Sequence, residues 1–270
     1  MSETIKEHWN RNASEESDWE YYKPGNPNRL EDLETIIRNP EKAFPTVVYP
    51  LIKKYIGDLK NKKICVPSSG DNKAAYGFYL LGAKVTSCDI SENQLINAKS
   101  IADRYSWDIE FICQDSMKLD KIKDGEYDLV YTSNGVHVWI DDLPGMYENF
   151  NRVLKPGGYN IFFETHPMIR PFDDSRIDVV KIDRVYGDIE DFGDVPNYLW
   201  RMQDFINAIC SAGFTIKEMQ EFHSVDGDLD DYLPQEKNPE RENYGINMKD
   251  WKQNPWAALP QCLCLCSQKG

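Results

Sequence analysis

Asp89, Asp115, His137, Glu164 and His166 have side chains that can bind or transform a ligand, and each stands at or just beyond the end of an apolar run. Asp89 closes "KVTSCD" and can accept hydrogen bonds from both hydroxyls of a ribose. Asp115 closes "DIEFICQD" and can accept from an exocyclic amine while the backbone beside it reads a ring nitrogen. One aspartate at a strand end is commonly a helix cap or a turn former. Two at successive strand ends describe an adenosine pocket, because ligands of open parallel sheets sit at the carboxyl ends of the strands. His137, Glu164 and His166 are candidate general bases, needed only if the group acted on holds a proton at neutral pH. His137 fits equally well as a packed, hydrogen-bonded histidine, and Glu164 as a buried structural carboxylate.

Gly70 precedes Asp89 by nineteen residues, in the turn of "ICVPSSGDN". Small residues at Ser68 and Ser69 let backbone N–H groups approach a ligand, and Gly70 supplies dihedrals that other residues resist. A dinucleotide needs room for a pyrophosphate at the helix start, which a G-x-G-x-x-G turn supplies. Here Asp71 would set a carboxylate beside that phosphate, which disfavours a nicotinamide oxidoreductase. A sulfonium cation tolerates the same acidic surround.

Alternating patterns must position these residues. "KICVP", "KVTSCD", "DIEFICQD", "YDLVYTS" and "YNIFFE" read as strands. Between them, "DNKAAYGFYLLGA", "SENQLINAKSIADRY" (capped by Ser91) and "DDLPGMYENFNRVLKPGG" read as helices, with "PTVVYPLIKKYI" a helix ahead of the first strand. Apolar strands alternating with amphipathic helices predict an α/β fold: a doubly wound, Rossmann-like, mostly parallel sheet. "RMQDFINAICSAGF" is a further helix, "TIKEMQEF" a strand and "LPQCLCLCSQK" a last strand. Joined to its predecessor by a loop without a helix, that seventh strand should be antiparallel. Residues 165–199 and 223–257 read as insertions, the first with a strand at "IDVVKIDRVYG".

The turn together with "FICQDSMKL" and "YDLVYTSNGVHVWIDDLPGMYENFNRVLKPGGYNIFFE" resembles the ordered motifs of class I S-adenosylmethionine-dependent methyltransferases, over roughly residues 45–222. "RVLKPGG" is the most specific local signal. The family turn usually reads acidic-x-Gly-x-Gly-x-Gly, whereas here Val66 replaces the acid and Ser68 and Asn72 replace the outer glycines. The resemblance implies S-adenosylmethionine as cofactor and in-line methyl transfer to a small-molecule acceptor. It places cofactor contacts at Pro67, Ser68, Ser69, Gly70, Asn72, Asp89, Ile90, Gln94, Asp115, Ser116, Met117, Ser133, Asn134 and Gly135. It also implies that residues 1–44 form a lid, with Trp9, Tyr21 and Tyr22 covering the cofactor or simply packing, and that residues 45–270 form the catalytic domain. Because the turn is altered, a domain that binds the cofactor without turning it over is the alternative. Trp139 could line the acceptor side or bury under the next helix; burial is the preferred reading.

The 270 residues suffice for such a domain, and 41% hydrophobic content builds its core. A net charge of −14 disfavours nucleic acid as a partner, and no run approaches a membrane span. The amino terminus lacks an apolar secretory run, and seven cysteines, an odd number, suit a reducing compartment; together they suggest a cytoplasmic protein. No metal is expected. Cys262, Cys264 and Cys266 would lie in a row on one strand face, poor geometry for tetrahedral zinc, and "DGDLDD" at 226–231 lacks the glycine and glutamate of a calcium loop. The acceptor's identity and the oligomeric state are not encoded legibly.

Overall fold

In a computed structural model, the structure describes residues 4–175, 178–189, 195–223, 225–227, 229, 233 and 247–270. A seven-stranded sheet runs in the order β3-β2-β1-β4-β5-β7-β6. Its strands are β1 (Lys63–Val66), β2 (Lys84–Asp89), β3 (Glu110–Cys113), β4 (Tyr127–Ser133), β5 (Leu154–Thr165), β6 (Phe214–Phe222) and β7 (Cys262–Lys269). The first five pair in parallel, and β7 inserts antiparallel between β5 and β6. The chain reverses direction in the sheet between β1 and β4, and the predicted turn ends β1 at that switch point.

The helices follow from local signals. α1 (Ile5–Asn12) begins in a capping box made by Thr4 and Glu7, and Asn26 caps α2 (Pro27–Arg38) by accepting from the Asn28 and Arg29 amides. α3 (Tyr49–Ile56) leads to β1, α4 (Lys73–Leu80) follows the turn, and Ser91 caps α5 (Glu92–Tyr105) through the Gln94 amide. α6 (Leu143–Val153) precedes β5, and α7 (Met202–Ser211) precedes β6.

Burial is divided between the faces of the sheet. Cys262, Cys264 and Cys266 join the core that α2, α3 and α4 cover, whereas Leu263 and Leu265 join the one under α6 and α7. The cysteine run is therefore buried strand with period-2 alternation. Among the described residues no group of side chains is arranged to hold a metal ion. No described helix is long and apolar enough to cross a membrane.

Three expectations need correction. The helix read from residue 45 starts at Tyr49, and "KPGG" belongs to the start of β5 rather than to the end of α6. The strand read at 177–187 is not formed among its described residues, where one isolated bridge joins Phe172 to Ile182. Half of the acidic loop at 226–231 lies outside the described residues, as does about half of 223–257.

Candidate active site

The turn after β1 explains how it dispenses with two glycines. Ser68, Gly70 and Asn72 all have positive φ, +48°, +52° and +64°. The alternating left-handed backbone of the G-x-G-x-G motif is therefore present, with serine and asparagine holding two of its positions. Such a residue costs roughly 1–2 kcal/mol, and asparagine tolerates it best. Side chains hold the turn in place. Ser68 Oγ lies 2.7 Å from Ser116 Oγ, and Asn72 Nδ2 donates to the Gly70 carbonyl at 2.8 Å. The Ser87 hydroxyl on β2 bonds to Ser69 Oγ and to Asn72 Oδ1.

Asp89, at the end of β2, fastens the turn from the neighbouring strand. Its Oδ2 accepts from the Gly70 amide and its Oδ1 from the Ser91 amide, both at 2.9 Å. Burial pushes this carboxyl above its ordinary value, against the backbone donors that favour its charge. Asp115 accepts from the Met117 amide at 2.9 Å and so shapes the turn after β3. At the end of β4, Asn134 and Gly135 take positive φ, and the Asn134 amide donates to the Phe163 carbonyl.

These strand ends surround a cavity of about 460 Å³, a size suited to a small ligand. Ser68, Ser69, Gly70, Asp89, Ile90, Asp115, Ser116, Met117, Ser133, Asn134 and Gly135 line it, and Trp9 and Tyr22 close it from the N-terminal segment. Sequence reading missed Ile5, Trp19, Asp71, Val136, Val138 and Ile140 in the same wall. Trp139, expected under the next helix, lines the cavity as well and stands edge-on to Trp9 with centroids 5.4 Å apart. Trp9 also meets Trp19 and Tyr22 edge-on, at 5.8 and 5.5 Å. α1 is tied down where Asn10 accepts from the Ser91 hydroxyl and the Asn93 amide at the start of α5.

Six expected site residues stand elsewhere. Pro67 is buried behind the turn, Asn72 is sealed beneath it, and Gln94 is buried with no partner for either side-chain atom among the described residues. His137 and Glu164 are 1% and 0% exposed and do not line the cavity. Glu164 accepts from the amides of Gly135, His137 and Thr165 and from His137 Nδ1 at 3.0 Å, while His137 Nε2 lies 2.8 Å from the Tyr147 hydroxyl. Burial alone would raise the Glu164 carboxyl; the hydrogen bond and charge of His137, with Arg170 nearby, outweigh it and hold it at about 2. This pair fastens the 134–137 wall from behind. His166, buried against Glu221 at 2.8 Å, faces a different cavity of about 850 Å³ lined by Met168, Phe172, Val185 and Tyr186.

A second chamber of about 510 Å³ adjoins the first and shares Ser68, Ser69, Asp71, Ser133 and Asn134 with it. Phe44, Pro45, Val66 and Phe163 supply its apolar wall, and Lys42 and Lys73 its positive charge.

Comparison with known proteins agrees with this geometry. Residues 68–162 match the methyltransferase domain family. A sterol 24-C-methyltransferase of Gibberella zeae is 29% identical over 185 residues, which cover 66% of this chain. The matched segment spans 46% of that relative's length. An S-adenosylmethionine-dependent methyltransferase from Mesorhizobium loti superposes with a TM-score of 0.62 at 19% identity, covering 83% of this chain and 98% of that one. The magnesium protoporphyrin IX methyltransferase of Synechocystis, solved with bound S-adenosylhomocysteine, gives 0.52 at 14% identity, covering 97% and 93%. Residues 68–162 thus match a methyltransferase domain, and the fold is that of S-adenosylmethionine-dependent methyltransferases, whose cofactor is S-adenosylmethionine.

The residues present fit that cofactor. Among the described residues a Cβ built on Gly70 meets no atom within 4 Å beyond its chain neighbours, so the backbone of the turn is open to a ligand lying against it. Beside that turn Asp89 offers a carboxylate at the cavity wall, and the aromatic roof suits a sulfonium cation.

Proposed function

We propose that the domain transfers the methyl group of S-adenosylmethionine to a small-molecule acceptor in the chamber beyond Ser133 and Asn134. The observation that carries this reading is that two chambers share the turn as a common wall, with Ser68, Asp71 and Asn134 lining both. The sterol methyltransferase relative supports a small-molecule acceptor.

When bound, the cofactor supplies an electrophilic methyl group on a sulfonium. The residues of this chain orient it and keep water out. Asp89 takes the ribose hydroxyls with the lone pairs that Gly70 and Ser91 leave free. Asp115, with the backbone of Ser116 and Met117, reads the adenine edge. Trp9, Tyr22 and Trp139 exclude solvent, and Ser133, Asn134 and Gly135 face the reacting end. His137 and Glu164 hold the 134–137 wall in place without touching the acceptor, so their contribution is positional. Alignment of this kind supplies ~7–11 kcal/mol of a displacement barrier.

Thermal melting with S-adenosylmethionine and S-adenosylhomocysteine, followed by transfer of labelled methyl groups into fractionated lipid and metabolite pools, tests the proposal. Stabilisation by both ligands with label in a small-molecule fraction is expected. A melting curve unmoved by millimolar amounts of either ligand sinks the cofactor assignment. Binding without incorporation into any pool sinks the catalytic one.

A further inference from the structure

The cavity of about 850 Å³ that His166 faces shares no lining residue with the cavity at the strand ends or with the second chamber. Its outer wall is the segment between β5 and α7, and backbone bonds give that wall a shape. The Asp173 amide donates to the Lys181 carbonyl at 2.9 Å and the Asp183 amide to the Pro171 carbonyl at 2.8 Å, so two stretches of the segment run side by side. The Tyr186 hydroxyl accepts from the Met202 amide at 2.9 Å, which ties the segment to α7. Phe172 stands edge-on to buried Trp256, with centroids 6.0 Å apart. The wall nevertheless leaves apolar side chains in solvent. Ile182 and Val185 are 72% and 74% exposed, Tyr186 and Met168 42% and 38%, and all four line the cavity. Apolar surface of this kind around a cavity of ligand size marks a binding site.

The opposite wall carries a charge that the fold does not cancel. The Met168 amide donates to His166 Nδ1 at 3.0 Å, so the imidazole proton stands on Nε2, which donates to Glu221 Oε1 at 2.8 Å. A ring that accepts through one nitrogen is neutral. Burial agrees, pulling His166 below its ordinary value against the attraction of Glu221. The histidine therefore fixes the Glu221 carboxylate without neutralising it. Half of the Glu221 side chain stays in solvent, and among the described residues no lysine or arginine lies within ion-pair reach of it and Oε2 accepts no hydrogen bond. Asp183 and Arg184, also in the wall, lie 3.7 Å apart and offset each other. The cavity thus joins an apolar body to one uncompensated negative charge.

We propose that this cavity binds an apolar molecule bearing one amine, with its ammonium on Glu221 Oε2 and its body against Met168, Ile182 and Val185. An ammonium gains both a hydrogen bond and charge attraction there. An alcohol of the same shape keeps only the hydrogen bond, and a carboxylate meets repulsion from Glu221 in a chain of net charge −14. The site is separate from the two chambers that meet at the turn, and it stands whether or not those are occupied.

The test uses three probes with one apolar body and different heads: decylammonium, 1-decanol and decanoate, each kept below its micellar concentration. Calorimetric titration of the parent chain should rank them in that order. Glu221→Gln should bind decylammonium roughly 5- to 30-fold more weakly and 1-decanol within about threefold of the parent. Ile182→Ser with Val185→Ser, changes at exposed positions that leave the fold intact, should weaken all three probes alike. Glu34→Gln, which removes an exposed carboxylate on α2, should change nothing and so controls for diffuse attraction to the net charge. Equal binding of the three probes by the parent chain, or no binding of decylammonium, would overturn the proposal. So would a loss in Glu34→Gln as large as that in Glu221→Gln, or parental affinity for decylammonium in either Glu221→Gln or the double serine variant.

Discussion

Gly70→Ala separates the conformational role of the turn from its contact with a ligand. At φ +52° an alanine pays roughly 1–2 kcal/mol for left-handed backbone, and about 0.5–1 kcal/mol is returned because alanine has less freedom to lose on folding. Among the described residues no atom beyond the chain neighbours lies within 4 Å of the added Cβ, so no clash adds to the sum. The net cost is therefore about 0–1.5 kcal/mol, and melting should fall by no more than ~6 °C. The Gly70 amide keeps its bond to Asp89, because alanine retains the N–H. Affinity behaves differently. The Cβ occupies space against which the cofactor must lie, and intrusion of one methyl group into a filled site costs about 1–3 kcal/mol, a loss of ~5- to 150-fold. Ser68→Gly is the complementary change. It relieves ~1–2 kcal/mol of strain, gives back about 0.5–1 kcal/mol in chain entropy and loses ~0.5–1.5 kcal/mol with the Ser116 hydrogen bond, for a sum near zero. Melting without ligand and calorimetry with S-adenosylhomocysteine measure both quantities for both variants. Gly70→Ala binding at parental affinity would refute the reasoning, as would a stability loss beyond about 4 kcal/mol.

Asp89→Ala should weaken S-adenosylhomocysteine binding by ~1.5–3 kcal/mol and lower stability as well, because the same carboxylate holds the Gly70 and Ser91 amides; unchanged binding in calorimetry would remove Asp89 from the ribose site. Glu164→Gln should cost ~3 kcal/mol at neutral pH. The folded Glu164 carboxyl sits at about 2 against an ordinary 4.5, so its contribution is fully present above pH 4.5 and disappears as pH falls towards 2. Urea unfolding of parent and variant should therefore converge below pH 4.5, and a constant gap would contradict the buried pair. A thiol reagent should label exposed Cys210 first and partly exposed Cys113 more slowly, with the five buried cysteines protected until unfolding; mass spectrometry of the native chain reads the order.

The strands and the helices between them were legible because period-2 and period-3.6 patterns are local. So was the cavity at the strand ends, since strand ends at one edge of a parallel sheet converge whatever the loops do. The helices α1 and α2 were harder to see: few apolar residues mark their faces, although Thr4 with Glu7, and Asn26 ahead of proline, were capping signals that could have found them. His137 and Glu164 drew attention by residue type. Their burial against each other depends on the pairing of β4 with β5, which no spacing of 27 residues along the chain announces. Arg29 and Asp71 illustrate the same limit, being 42 residues apart and joined through a backbone carbonyl. The altered turn was legible in a subtler sense. What the fold preserves there is a sequence of dihedral angles, and Ser68 and Asn72 can supply them at a moderate energetic cost.

The place of β7 bears on how the chain assembles. Of the seven strands it leaves the ribosome last, yet it stands between β5 and β6 and supplies the partner of both. Until it arrives, β6 has no neighbour in the sheet and β5 keeps an open edge, while β1 to β5 already have every parallel pairing they will have. Long-range pairing of this kind closes slowly. The nascent chain should therefore pass through a stage in which the half from β1 to β5 is formed and β6 is held by α7 and by the bonds of Glu218 to Lys54 and Tyr55 of α3. A chaperone or a stray strand that captures that open edge would compete directly with the final eight-residue strand.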